Sequence, residues 1–444
     1  MTHRVQRPSA PERVVLAAVG GPATIDDGIQ WSDESLKEEV RALANSAGAI
    51  VVGEVFQRRT RIDKTFFIGR GKAEELRDEV RTRGADLVVF DNDLSPAQGK
   101  NLEDLVGVRV LDRTELILDI FADRARTTEA KLQVELAQLQ YLLPRLKRMW
   151  THLSRIRGGI GLRGPGETQL EVDRRAIRDR IARLREKLDG IEERRALQRK
   201  GRSDEWNVAL VGYTNVGKST IMNRLAGESV QVEDRLFATL DATTRRVDLP
   251  AGEAVVLTDT VGFIRNLPHH LVASFRATLE EVVHADLLLH VVDASDPQHE
   301  EQMRVVRGVL DQLGLAGTPV LHVFNKFDLV PPAERAGLRS RILSEHDDAV
   351  VASAVEERGL VSLVDALSEF VRSRQIDVRV RLPLHRTRAL SRLYELGEVT
   401  SRDYTEQAIE VGLRARPEVV RRLESEGIEV EADGNGRAQS GEEG

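Results

Sequence analysis

A chain of 444 residues carries 65 Lys and Arg against 72 Asp and Glu, a net charge of -7, with 31% charged and only 4% aromatic residues. The length suffices for about three domains with cores of their own, and the balance fits a soluble, helix-rich chain rather than an aromatic-rich sheet protein. The absence of cysteine excludes disulfides, thiol catalysis and the usual ligands of a structural zinc, and the acidic total argues against a general polyanion binder.

No run approaches the roughly eighteen apolar residues of a membrane span, and Met1 to Glu12 lacks the apolar core of a signal peptide. The expected location is the cytoplasm. Met1 to Pro11 is polar and expected to be disordered. Strands are expected at Val14 to Val19 and Ala49 to Phe56, around a helix over Asp33 to Ala47 that Ser32 can cap. Thr65 to Ile68 reads as a strand, Ala73 to Arg83 as a helix, and Ala85 to Phe90 and Val108 to Leu111 as strands flanking a helix over Pro96 to Leu105. This alternation implies a parallel, doubly wound sheet. Gly69-Arg70-Gly71-Lys72 reads as a connector within it.

Leu132, Leu136, Leu139, Leu143, Leu146, Trp150 and Leu153 then step by threes and fours, and Leu170, Ile177, Ile181, Leu184, Leu188 and Ile191 form a second such series. Two long helices packed antiparallel along these seams are expected, the first kinked at Pro144. Their tip interleaves Arg155, Arg157 and Arg163 with Gly158, Gly159, Gly161, Gly164 and Gly166. Such glycines let backbone approach another surface closely while arginines meet phosphates. Basic residues exceed acidic ones by ten between 123 and 202. The pair therefore reads as an RNA-contacting arm, against the plainer alternative of a solvated hairpin.

Gly212 to Ser219, GYTNVGKS, follows the apolar run Val208 to Val211. In that context Gly212, Tyr213, Thr214, Asn215, Val216, Gly217, Lys218, Ser219 and Thr220 form a phosphate-binding loop opening a helix. Lys218 would reach the β- and γ-phosphates, and Ser219 would offer its hydroxyl to Mg²⁺. Asp259-Thr260-Val261-Gly262 ends a second run, with Asp259 on the metal through water and the Gly262 N–H on the γ-phosphate. Asn325-Lys326-Phe327-Asp328 ends a third, and Asp328 can accept two N–H bonds from guanine, whereas adenine would leave the carboxylate unpaired. Ser353-Ala354-Val355 would complete the base pocket with a backbone N–H. A threonine must sense the γ-phosphate, and spacing leaves Thr239, Thr243 and Thr244 in competition.

The nucleotide domain runs from about Asp204 to Arg372, closed by a helix over Val361 to Val371. A small α+β module follows, with strands at Ile376 to Pro383 and Tyr404 to Leu413 around a helix over Arg386 to Leu396. Gly434 to Gly444 is expected to be disordered. The fold class is α/β: residues 1–123 an α/β amino-terminal domain, 124–203 a helical hairpin, 204–372 a P-loop GTPase domain and 373–433 the small carboxy-terminal module.

FFIGRGKAEEL at Phe66 to Leu76, DNDLSPAQ at Asp91 to Gln98, RGPGETQLE at Arg163 to Glu171, GYTNVGKS, FATLD at Phe237 to Asp241, DTVGF and NKFD together resemble the HflX family of translational GTPases over nearly the whole chain. RGPGETQLE beside GYTNVGKS is the most specific mark. The resemblance implies that Phe237, Ala238, Thr239, Leu240 and Asp241 form the first switch with Thr239 on Mg²⁺, alongside Ser219. Lys218, Thr239 and Gly262 would then be the catalytic set, converting GTP to GDP and phosphate. It also implies binding to the large ribosomal subunit, with the amino-terminal and helical domains reaching toward the peptidyl-transferase region, and splitting of stalled ribosomes, often under stress; the chain is expected to be a monomer that meets ribosomal RNA with the hairpin tip. Val355 departs from the basic or small residue usual after Ser-Ala.

Phe263 stands where Ras-like GTPases place the glutamine that orients the attacking water. It can only pack, so slow intrinsic hydrolysis is expected, accelerated when the large subunit orders the switches or supplies a polar group. Arg265, Arg245 and Arg246 read as solvated surface arginines, with internal arginine fingers as the alternative. Two other functions fit parts of the pattern. An RNA-remodelling ATPase or helicase conflicts with Asp328, and a GTP-dependent switch acting on a protein partner leaves the basic tip without a client.

Overall fold

The computed structural model describes residues 11–21, 31–155, 166–200, 205–227, 235–250, 253–268, 271, 280–384, 387–405 and 407–432. The ends expected to be disordered, apart from Pro11, and the hairpin tip at 156–165 lie outside the described residues. Among the described residues no helix is long and apolar enough to cross a membrane.

The first domain runs β1 (Arg13–Gly20), α1 (Asp33–Ser46), β2 (Ile50–Arg58), α2 (Arg70–Arg83), β3 (Leu87–Phe90), α3 (Pro96–Val106), β4 (Arg109–Leu111) and α4 (Arg113–Arg124). Its sheet is parallel throughout, in the order β2-β1-β3-β4. Helices cover both faces of β1, so seven of its eight residues are buried and its sequence is a continuous apolar run. The cap expected at Ser32 forms, and a capping box that was not expected joins it. Ser32 accepts the N–H of Ser35, and Ser95 and Gln98 close a capping box on α3.

One expectation fails here, and one helix was not foreseen. Thr65 to Ile68 is a turn rather than a strand, because the Asp63 carboxylate takes the N–H groups of Thr65 (2.7 Å) and Phe66 (3.0 Å) and folds the chain back, with Phe67 at φ 68°. Helix α4 has no counterpart in the sequence reading. Leu116, Ile117, Leu118, Ile120 and Phe121 are buried nearly all round, so the segment lacks the polar face that marks a helix.

The arm consists of α5 (Thr128–Arg155), continuous through Pro144, and α6 (Gly166–Lys200). Leu136, Ile181, Leu184 and Leu188 form its buried seam, flanked by Leu132, Leu139, Leu143 and Ile177. Arg180 clasps Glu135 with two bonds of 2.7 and 2.8 Å. A second stripe of α5, including Ala130, Val134, Ala137 and Tyr141, belongs to the core shared by the first and nucleotide domains. Arg145 fastens the helix further through Asp112 and the Leu94 carbonyl, both at 3.0 Å.

The nucleotide domain contains β5 (Trp206–Gly212), α7 (Lys218–Leu225), β6 (Thr243–Asp248), β7 (Ala254–Asp259), α8 (Glu280–Val283), β8 (Leu287–Asp293), α9 (His299–Gln312), β9 (Val320–Asn325), α10 (Pro332–Glu345), β10 (Ala349–Val351) and α11 (Val361–Ser373). Its six strands run β10-β9-β8-β5-β7-β6, with β6 antiparallel to β7. The expected motifs sit at the carboxyl ends of β5, β7, β9 and β10, where open α/β sheets bind ligands.

The last module is β11 (Ile376–Pro383), α12 (Thr387–Leu396), β12 (Glu398–Tyr404), β13 (Ala408–Ala415), α13 (Pro417–Ser425) and β14 (Glu429–Ala432), in the antiparallel order β12-β13-β11-β14. The single strand expected over Tyr404 to Leu413 is a hairpin. Thr405 turns the chain by accepting the Ala408 N–H on its hydroxyl at 3.1 Å. Arg416 docks the module on the nucleotide domain, over the Trp206 ring at 4.0 Å and onto Asp286 at 2.9 Å.

Candidate active site

Strand β5 delivers the chain to a loop whose geometry requires glycine. Gly217 has φ 95°, and a Cβ there would meet the Asn325 amide nitrogen at 2.4 Å. That close approach is used. Asn325 Nδ2 donates to the Val216 carbonyl at 2.8 Å, while its Oδ1 accepts the Ala354 N–H at 3.0 Å. One buried amide thus joins the loop after β5, the end of β9 and the segment after β10. The Ser353 N–H goes to the Gly359 carbonyl at 3.0 Å. The N–H groups of Ser353 and Ala354 are thus both engaged within the protein. Asp328 and Ser353 meet through their side chains at 2.7 Å, and Lys326, at φ 58°, pairs with Asp293 at 2.8 Å.

The segment after β7 is stitched to the same loop. Phe263 N–H donates to the Gly212 carbonyl at 3.0 Å, and Thr214 N–H to the Phe263 carbonyl at 2.7 Å. A Cβ at Gly262 would meet Thr214 Cα at 2.8 Å and Lys218 Nζ at 3.0 Å. Phe263 itself is fully buried. Lys218 Nζ, also buried, donates to the Tyr213 carbonyl at 2.7 Å. Burial draws its pKa down to about 8, against the opposing pull of the Asp259 charge.

Three oxygens gather beside the loop. Ser219 Oγ lies 2.8 Å from Thr239 Oγ1, and Asp259 Oδ2 accepts from both, at 2.6 and 2.9 Å. Asp259 Oδ1 is buried with no hydrogen-bond partner, and burial raises this carboxyl's pKa despite Lys218 and the two hydroxyls. Of the three competing threonines, Thr239 is the one in this group. Thr243 and Thr244 lie on β6, where Thr244 meets Thr258 at 3.2 Å.

Thr214, Asn215, Gly217, Lys218, Ser219 and Thr220, with Phe237, Ala238, Thr239, Thr260, Gly262 and Lys326, line a cleft of about 300 Å³. Arg235 and Leu329 line it too; neither carries a motif that could have pointed to it. Gly212, Val216, Val261, Phe327 and Val355 do not line it; Val216 and Val261 are buried, and Val355 is 68% exposed. Leu240 is buried. The Asp241 carboxylate turns out of the cleft onto the start of α5.

Tyr213 and Arg265 also turn away from the cleft, toward the first domain. Arg265 is 5% exposed, so it is neither a solvated arginine nor a finger on the phosphates. Its guanidinium contacts Glu39 at 2.7 Å and Asp91 more closely still. The Tyr213 hydroxyl donates to Glu39 and accepts the Arg265 N–H at 2.9 Å. Burial pushes the Glu39 carboxyl up, but Arg265, Arg113 and Tyr213 outweigh it and hold the group below its ordinary value. Arg246 is an exposed side chain paired with Glu205 at 3.0 Å.

A glycine-bounded loop between a buried strand and a helix, a lysine inside it, a Ser-Thr-Asp oxygen group and an Asn-Lys-x-Asp strand end define a P-loop GTPase, and the chain hydrolyses GTP. Family models match along it: "GTP-binding GTPase N-terminal" at residues 33–122, "GTP-binding GTPase Middle Region" at 124–202 and "50S ribosome-binding GTPase" at 207–326. The GTPase HflX of Caldanaerobacter subterraneus subsp. tengcongensis is 48% identical over 393 residues, covering 88% of this chain and 90% of that one. The GTPase HflX of Escherichia coli is 46% identical over 385 residues, covering 86% and 90%. A GTP-binding protein from Sulfolobus solfataricus, solved with GDP, is 24% identical with a TM-score of 0.43, covering 80% of this chain and 98% of its own. The chain belongs to the HflX family.

Proposed function

We propose that this GTPase binds the large ribosomal subunit, reaches ribosomal RNA with the tip of its helical arm, and splits or rescues stalled ribosomes as a cytoplasmic monomer. The observation that carries the reading is the union in one chain of a guanine-nucleotide site and an antiparallel pair of 28- and 35-residue helices whose surplus charge is positive. At 1.5 Å per residue α5 alone spans about 40 Å, and the residues proposed to contact RNA are Arg155, Arg157, Gly158, Gly159, Arg163, Gly164 and Gly166. The description of the matching family, a 50S ribosome-binding GTPase, supports the same partner.

Within the site, Lys218 neutralises charge on the β- and γ-phosphates, the Gly262 N–H faces the γ-phosphate, and Asp328 accepts the guanine N–H groups. Mg²⁺ fits the oxygen group, where Asp259 Oδ1 is buried and unpartnered. Ser219 and Thr239 would hold the ion, with Asp259 acting through water, and it would supply Lewis-acid neutralisation of the phosphates. Phe263 has no group with which to orient water, so the large subunit completes the site by ordering the switches.

Co-sedimentation with purified subunits tests this. Retention on large subunits with a nonhydrolysable GTP analogue, but not with GDP or an ATP analogue, is expected. Equal absence from the pellet in every nucleotide state would overturn it in favour of a switch with a protein partner.

A further inference from the structure

The segment carrying Thr239 is fixed to the arm rather than only to the nucleotide domain. Asp241, two residues beyond Thr239, places Oδ2 on the backbone N–H groups of Arg126 (3.1 Å) and Thr127 (3.2 Å), and its Oδ1 accepts the Thr127 hydroxyl proton. The Thr127 oxygen in turn accepts the Ala130 N–H at 3.1 Å. Thr127 is therefore the cap of α5, and Asp241 supplies from another domain the charge that a helix start favours. On the other side of Thr239, the Phe237 ring meets Phe121 of α4 edge-on, with centroids 4.7 Å apart and planes at 81°. The Leu236 N–H donates to Ser46 Oγ of α1 at 3.0 Å. Thr239 is thus suspended between two anchors on the amino-terminal half, while its own hydroxyl faces Ser219 and Asp259.

We propose that Thr127 and Asp241 are positioning residues for GTP hydrolysis: the capped start of the arm helix holds the first switch so that Thr239 meets its partners. Placement of Thr239 by nucleotide and ordering of the first turn of α5 are then one event, and the arm registers the nucleotide state at its base. Neither residue lines the cleft; both act through the two peptide bonds between Asp241 and Thr239. The proposal rests on Thr239 belonging to the active site.

The test uses the full chain with Mg²⁺ and GTP. In Thr127→Val, kcat falls about fivefold, the rate equivalent of one helix cap, with a smaller change in KM. Thr127→Ser restores it. Asp241→Ala gives a similar loss, and the double variant is no worse than either single one, as coupled positions require. Hydrogen exchange supplies a readout besides turnover: the amides of Arg126, Thr127 and Ala130 are better protected with a nonhydrolysable GTP analogue than with GDP in the wild type, and equally protected with both in Thr127→Val. Wild-type turnover in Thr127→Val and Asp241→Ala, with exchange at these amides independent of nucleotide, would overturn the link while a loss in Thr239→Ala left the site intact. Undiminished turnover in Thr239→Ala would overturn the site reading and the link together.

Discussion

Arg113 and Arg265 come from different domains and grip the same two carboxylates, Glu39 and Asp91. Two anions and two cations are buried together, and the Tyr213 hydroxyl of the phosphate loop completes the group on Glu39. The first domain is thereby locked to the residues that follow DTVG. An arrangement of this kind is costly to break from one side, because the charge left behind has no water to turn to.

Arg265→Met should accordingly destabilise the full chain by about 3–5 kcal/mol, read from the denaturant midpoint. Adding Asp91→Asn to Arg265→Met should recover part of the loss, since one unpaired charge is removed. A pH series gives the sign independently. Glu39 is held below its ordinary value, so the stability it contributes is present above the ordinary carboxylate range and disappears only as pH falls through that depressed pKa. Arg265→Met should move that loss upward in pH.

Lys218 sets a second pH dependence, of opposite sense. Its folded pKa of about 8 lies below the ordinary lysine value, so its cation is fully present only below pH 8. GTP binding should weaken above that point, by about tenfold per pH unit at most if only the cation binds, as measured with a fluorescent analogue between pH 7 and 9.5. Lys218→Ala should bind weakly at every pH and show no such slope.

Asn325 holds three segments with one side chain, through Val216 and Ala354. Asn325→Ala leaves buried partners unpaired, at about 1–3 kcal/mol for each group. The expected result is a rise in KM for GTP of at least about tenfold, larger than the fall in kcat, because the wall of the site is loosened rather than its chemistry removed. Steady-state kinetics separates the two.

Much of this site was legible because β5, β7 and β9 are largely apolar runs, each ended or followed at once by a motif residue. Lys218, Ser219, Asp259 and Asn325 announce themselves by that punctuation. Arg265, Glu39 and Asp241 do not, since a charged letter in a sequence carries no mark of burial or of a partner more than a hundred residues away. Thr239 could not be told from Thr243 and Thr244 by spacing, for the difference lies in how the chain bends before β6. Helix α4 escaped for the converse reason: apolar residues on nearly every side erase the period on which a helix is recognised.

Phe263 offers a check on the absent water-orienting group. Its side chain fills a fully buried space, so Phe263→Gln should cost stability, about 3–5 kcal/mol on the scale of large core losses, without speeding hydrolysis. Thermal unfolding and single-turnover GTP cleavage together distinguish this from the outcome in which glutamine improves the reaction.

The most direct measurement is multiple-turnover GTP hydrolysis by the full chain alone, with purified small subunits, and with purified large subunits. Slow turnover alone and with small subunits, accelerated at least about tenfold by large subunits, the effect of some 1.4 kcal/mol on the barrier, is the expected result. Equal turnover under all three conditions would contradict the account of a GTPase whose site is completed by the large ribosomal subunit.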